Sequence, residues 1–180
     1  MDEMVRIGLE PAPGFDPEIA LRLGELDDLL RRLTQDVQGL RIEELDWSPG
    51  EGMNSIGTLL LHIAAAEFDW IRQDVLGKEF TPEEMEWLRY GYPWMEGLKP
   101  LTGRGVEFHF EKLAAARAHT KEALKPLRTA DLEKGFSAPD HPSRSATLRW
   151  ILYHLVEHCA HHRGQIAYVK HLYKVRATGG

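Results

Sequence analysis

Three histidines in two apolar stretches could hold a metal ion. His62 lies in a segment that continues through Glu67 and Trp70, and His158 and His162 belong to the run His158-Cys159-Ala160-His161-His162. Side chains four residues apart on a helix point the same way. Two imidazoles from one helix and one from a facing helix can close on a divalent cation and leave positions for water or substrate. That is the coordination of a reactive site, whereas a structural site uses all four positions for protein ligands.

Nine histidines in 180 residues must be sorted before any is assigned. Along the last apolar stretch, with Leu155 at the centre of the stripe, His162 falls about 20° away and His158 about 60° away at ~100° per residue. His154 and His161 come out near roughly 100° and 120°, at the edge or in solvent. The phase therefore selects His158 and His162. Two inward rings on one stripe carry four nitrogens that need partners, and a metal meets that need. His62 lies at the border of its own stripe, but it is the only histidine there, and a border position faces a neighbouring helix. His109, His119, His141 and His171 show no pattern and read as surface or bundle-edge residues.

The helices that position these residues are legible from their punctuation. Asp16-Pro17-Glu18 reads as an N-cap, a proline at the first helical position and a dipole-compatible acid. The helix it opens carries Ile19, Leu23, Leu26, Leu30, Leu33 and Val37 inward and ends near Gly39. After a loop with Trp47, Ser48, Pro49 and Gly50, Asn54 or Ser55 caps a second helix that closes at Gly77. Its inward residues are Ile56, Leu59, Leu60, Ile63, Ala66, Trp70 and Ile71. Thr81-Pro82-Glu83-Glu84 forms a capping box for a short helix through Trp87 and Leu88, and Gly91 to Gly105 is irregular. A third long helix points Val106, Phe110, Leu113, Arg117, Thr120 and Leu124 inward, and its alanines suit close helix packing. Ser145 or Thr147 opens the last helix, with Leu148, Ile151, Leu152, Leu155, Cys159, His162, Ile166 and Val169 inward. No two-residue alternation is sustained, so no sheet is expected. The expected fold is all-α: one four-helix-bundle domain over 1–180, with an extended segment at 1–15 and a long crossover between the second and third helices.

The residues resemble a known family. The run His158 to Gln165 (HCAHHRGQ) and the His-x4-Glu-x2-Trp pattern from His62 to Trp70 closely resemble the DinB-like superfamily of damage-inducible and related proteins. The resemblance extends from the first helix to the last, and its most specific part is the H-x3-H-x-G-Q end. It implies a four-helix bundle, often dimeric, with a divalent metal, zinc or nickel, held by three histidines. Carried over by position, those are His62, His158 and His162. It also implies relatives that act as thiol-dependent S-transferases and isomerases with mycothiol or bacillithiol, so a low-molecular-weight thiol enters as a possible cofactor. The segment from Lys78 to Arg104 departs from the family pattern, which leaves substrate choice open.

Other residues carry alternatives. Glu67 is either a catalytic carboxylate, supporting a ligand or acting as a base on metal-bound water, or a half-exposed helix acid. Arg163 and Gln165 either cap carbonyls or touch a partner subunit. Cys159 lies on the apolar stripe and reads as a buried, inert thiol. Trp47, Trp87, Tyr90, Tyr92 and Trp94 either roof the metal cavity or cover the bundle's open end.

Composition narrows the class. A net charge of −6 without a Lys/Arg run argues against nucleic acid as a partner. No run approaches the ~18 apolar residues of a membrane span, and Met1 to Phe15 has acids and prolines where a signal peptide has a basic flank and an apolar core. One cysteine fits a reducing compartment. The expectation is a cytoplasmic, homodimeric, metal-dependent enzyme acting on a small molecule by thiol S-transfer or hydrolysis. The competing class is a non-catalytic metal-binding bundle of a stress response.

Overall fold

The computed structural model describes residues 8–177, without the side chains of Trp94, Glu96 and Ala177. The first part of the N-terminal segment, 1–7, lies outside the described residues. Four long helices form the bundle: α1 (Pro17–Val37), α3 (Ile56–Asp69), α6 (Val106–Leu124) and α7 (Leu148–Ala177). Short helices α2 (Ile42–Asp46), α4 (Pro82–Leu88) and α5 (Pro93–Glu96) lie in the connections, and the crossover joins α3 to α6. Among the described residues no helix is long and apolar enough to cross a membrane.

The punctuation works largely as read. Ser55 Oγ accepts from Thr58 N (3.2 Å) at the start of α3. Thr81 and Glu84 cap each other at α4, and Thr147 Oγ1 accepts from Trp150 N at the start of α7. Asp16 precedes Pro17 at the start of α1, but its carboxylate takes the Thr129 hydroxyl instead of a helix N–H. The N-terminal segment crosses α1 at Gly24, where a Cβ would lie 2.3 Å from the Glu10 carbonyl oxygen.

Three features depart from the sequence expectation. First, a two-residue antiparallel ladder, β1 (Gly135–Phe136) with β2 (Ala146–Thr147), precedes α7. Strands this short cannot display alternation. Second, α3 continues as a π-helical segment, Trp70–Val75, before Gly77 turns the chain at φ +61°. Third, α3 has no solvent face. Every residue from Ile56 to Phe68 is buried, so His62 sits at no border. The cover is the crossover, whose hydrophobic residues are too irregularly spaced to announce a packing face.

Of Ala114, Ala115, Ala116 and Ala118 in the third helix, only Ala116 is buried. An ionic tie adds to the packing of this helix on α3. Arg117 donates to both oxygens of Glu67 (2.7 and 2.9 Å) and to Asp27 of α1 (2.9 Å). Thr120 adds a hydroxyl to Glu67 (2.8 Å). Arg163 of α7 reaches Asp36 of α1 (2.6 Å), a structural tie between helices.

The crossover touches α3 most closely at Gly91, where a Cβ would stand 2.3 Å from the Ala65 Cβ and 3.1 Å from the Leu61 carbonyl oxygen. Gly91→Ala should destabilise the fold by about 1–3 kcal/mol through overpacking. Adding Ala65→Gly should restore part of that loss, as measured by denaturant unfolding. Additive losses in the double variant would show that the two positions do not meet.

Candidate metal centre

His62, His158 and His162 come together: each offers one ring nitrogen, and the three nitrogens lie within 4.8 Å of one another. His62 is supplied by the buried α3, and His158 and His162 by successive turns of α7. His158 Nε2 is 3.0 Å from His62 Nε2 and 3.1 Å from His162 Nε2. Tetrahedral zinc with Zn–N of about 2.0–2.1 Å would hold ligand nitrogens about 3.3 Å apart, close to the two spacings that His158 makes.

Second partners set the orientation of two rings. His62 Nδ1 donates to the Gly91 carbonyl oxygen (3.0 Å), so its Nε2 carries a lone pair. His162 Nδ1 donates to Gln165 Oε1 (2.8 Å), while the Gln165 amide donates to His161 Nε2 (3.0 Å). Gln165 thus orients a candidate ligand. His158 Nε2 then stands between two lone pairs, and a single proton there satisfies only one at a time. A cation in that position accepts all three, which is the fit expected of a metal site.

Burial keeps the rings neutral and ready to ligate. It pushes His158 down to about 3, with the neighbouring histidines adding to the effect, and His62 down to about 4. His162 is also lowered, chiefly by burial and against the Gln165 hydrogen bond. Tyr92 of the crossover meets His62 edge-on at 5.1 Å and so roofs the site. Burial and its hydrogen bond to Asp69 keep the phenol protonated.

Trp47 and Trp87 serve elsewhere. Trp47 packs on Tyr173 and Trp87 on Phe68; Tyr90 is half-buried, and the Trp94 side chain lies outside the described residues. Glu67 is not brought into the histidine group and is not half-exposed: it is buried, with both oxygens engaged by Arg117 and Thr120. Cys159 is free and buried, its thiol pushed up to about 11 by burial. His161 is exposed, and His154 stacks on Trp150. His109 overturns the surface or bundle-edge reading, whereas His119 is half-buried at the edge of its helix. His109 is buried beside Gly57 and held down to about 4, and His119 stacks on Phe68 at 4.3 Å. His109 lies three residues after Val106 and four before Leu113, so the period of its helix could have marked it as inward; His119 is off that phase.

The model of the DinB superfamily matches residues 11–166, and the chain belongs to that superfamily. No curated protein matches. The crystal structure of a conserved protein from Enterococcus faecalis is similar in fold, with a TM-score of 0.61 at 18% identity, covering 84% of this chain and 94% of that one.

The lowered histidines dictate an acid response of the metal-free protein. Unfolded imidazoles take up protons as pH falls through roughly 6.5, whereas His62 and His109 stay neutral in the fold down to about 4. The unfolded chain binds more protons in that window, so stability present above it is lost as pH falls. Thermal unfolding should show Tm dropping between roughly pH 6.5 and 4, and a level Tm would mean the folded rings protonate freely.

Proposed function

We propose that this protein is a metal-dependent enzyme acting on a small molecule, with one divalent transition-metal ion held by His62, His158 and His162. The observation that carries the reading is the convergence of three ring nitrogens, two of them with tautomers set by Gly91 and Gln165. Neutral imidazole favours zinc, nickel, copper or iron over magnesium or calcium, and zinc or nickel is the choice the family resemblance implies. A bound cation supplies Lewis acidity, lowering the pKa of a water or thiol ligand toward neutrality. The chain's own residues hold the ligands: Gly91 and Tyr92 fix His62, Gln165 fixes His162, and Glu67 anchors α3 to α6. The nucleophile is water or a low-molecular-weight thiol, giving hydrolysis or thiol S-transfer.

Metal analysis of untagged protein should find one ion per chain. His62→Ala, His158→Ala and His162→Ala should each abolish stoichiometric binding while the helical spectrum persists. His154→Ala should leave metal content unchanged. Gln165→Ala should weaken affinity about 10–100-fold, as expected on losing a ligand's orienting partner. Glu67→Ala should cost about 3–5 kcal/mol of stability by leaving buried Arg117 with Asp27 as its one carboxylate among the described residues, without removing the metal-binding group. Wild-type protein free of any transition metal would overturn the reading. If metal binds but neither thiol consumption nor hydrolysis is detected across a substrate panel, the protein is a non-catalytic metal-binding bundle.

We further propose a homodimer, for which the exposed alanines Ala114, Ala115 and Ala118 of α6 offer a surface of close approach. Sedimentation should give twice the 20.5 kDa chain mass, and a monomer at every concentration would exclude it.

A further inference from the structure

Beside the histidine group lies a cavity that the metal reading does not use. It has a volume of about 510 Å³ and is lined by Trp70, Arg144, Ser145, Ala146, Thr147, Trp150 and His154. The wall is mostly apolar, and Arg144 is its one formally charged side chain. We propose that this cavity binds a small aromatic carboxylate, with the carboxylate on Arg144 and the ring against Trp150.

Three observations support that ligand class. The guanidinium of Arg144 is held in place: it lies over the Trp70 ring at 4.6 Å and 3.6 Å from the carboxylate of buried Asp74. Its side chain is nonetheless 54% exposed, and among the described residues the guanidinium has no hydrogen-bond acceptor. A planar fork of donors fixed in this way matches a carboxylate in two-point contact. Trp150 is 45% exposed, unusually open for so large a side chain. His154 stacks on it at 4.8 Å with the rings 7° from parallel, and Trp70 stands 5.4 Å from it at 60°, so three rings together give the cavity an aromatic wall. Finally, the π-helical segment Trp70–Val75 supplies both Trp70 and Asp74, and such turns are frequent at functional sites. Asp74, Asp69 and Asp140 give the surroundings acidic character, but none of them lines the cavity. A cationic ligand would have to displace or repel Arg144.

His154 stands 5.6 Å from His158, so the cavity adjoins the proposed metal. Its use as the seat of the enzyme's substrate rests on the metal reading; its binding of an aromatic acid does not. The test is a titration of the whole protein, metal-free and metal-loaded, with phenylacetate, phenethyl alcohol and phenethylamine, followed by calorimetry and tryptophan fluorescence. Phenylacetate should bind about tenfold or more tightly than the alcohol, the scale of a charge-assisted contact, and the amine most weakly. Arg144→Gln should erase the preference for the acid, and Arg144→Lys should restore only part of it. Trp150→Ala should weaken acid and alcohol alike. Ala146→Phe, which fills the cavity and leaves Arg144 in place, should abolish binding. Equal affinity for acid and alcohol, preference for the amine, or phenylacetate binding that survives Ala146→Phe would overturn the proposal. Because the metal-free titration needs no metal, failure of metal binding and failure of this cavity are separate results.

Discussion

The constraint that governs this structure is that α3 has no side exposed to water. A helix buried all round cannot leave a polar side chain unpaired without a cost of about 1–3 kcal/mol for each, more if it is charged. Its polar residues are accordingly met from neighbouring elements. Ser55 and Thr58 satisfy each other at the N-terminus. Glu67 is closed by Arg117 and Thr120 of α6, and Arg117 carries the contact on to Asp27 of α1. Asp69 accepts from Gln73 and from Tyr92 of the crossover. His62 takes the Gly91 carbonyl. The bundle's connections are thus largely the answers to what α3 places inside it.

His62 is therefore the fixed member of the histidine group, and α7 brings the rest to it. His158 and His162 lie where α7 passes from its core face toward solvent, and both are half-buried. That placement keeps the imidazoles neutral while leaving the site open to small molecules. Two of the three tautomers are set by partners that need no metal, so the lone pairs converge before any ion arrives. The crossover does double duty here. It seals α3 from water, and the same close approach at Gly91 aims His62.

Much of this was legible because the relevant signals are local. Caps at Ser55, Thr81 and Thr147 involve residues three apart, and the phase of His158 and His162 follows from 3.6 residues per turn. The stripes of α1 and α7 each bury one side of the helix and display the period clearly. His109 lies on the inward phase of its helix, between Val106 and Leu113, whereas the π-helical turn and the two-residue ladder depend on tertiary contacts that no local period reports. The burial of His62 was hidden for the same reason, since a helix covered by an irregular segment shows no polar face at all. The Glu67–Arg117 pair was within reach. Arg117 stood among the inward residues of its helix, and a charge on an inward stripe requires an opposite charge on a facing one.

Cys159 shows why the histidines, rather than the thiol between them, define the chemistry. One residue along a helix is a rotation of about 100°. Cys159 therefore turns into the core when His158 and His162 turn toward α3, and there it feels the charge of Glu67 as well as desolvation. Both effects disfavour the thiolate, which is the form that attacks or ligates. The helix thus places an inert sulfur and two usable nitrogens within five residues, separated by phase alone. On the enzymatic reading proposed above, a nucleophile would come from outside the chain, and the half-buried face of α7 is the side from which the histidine nitrogens can be reached.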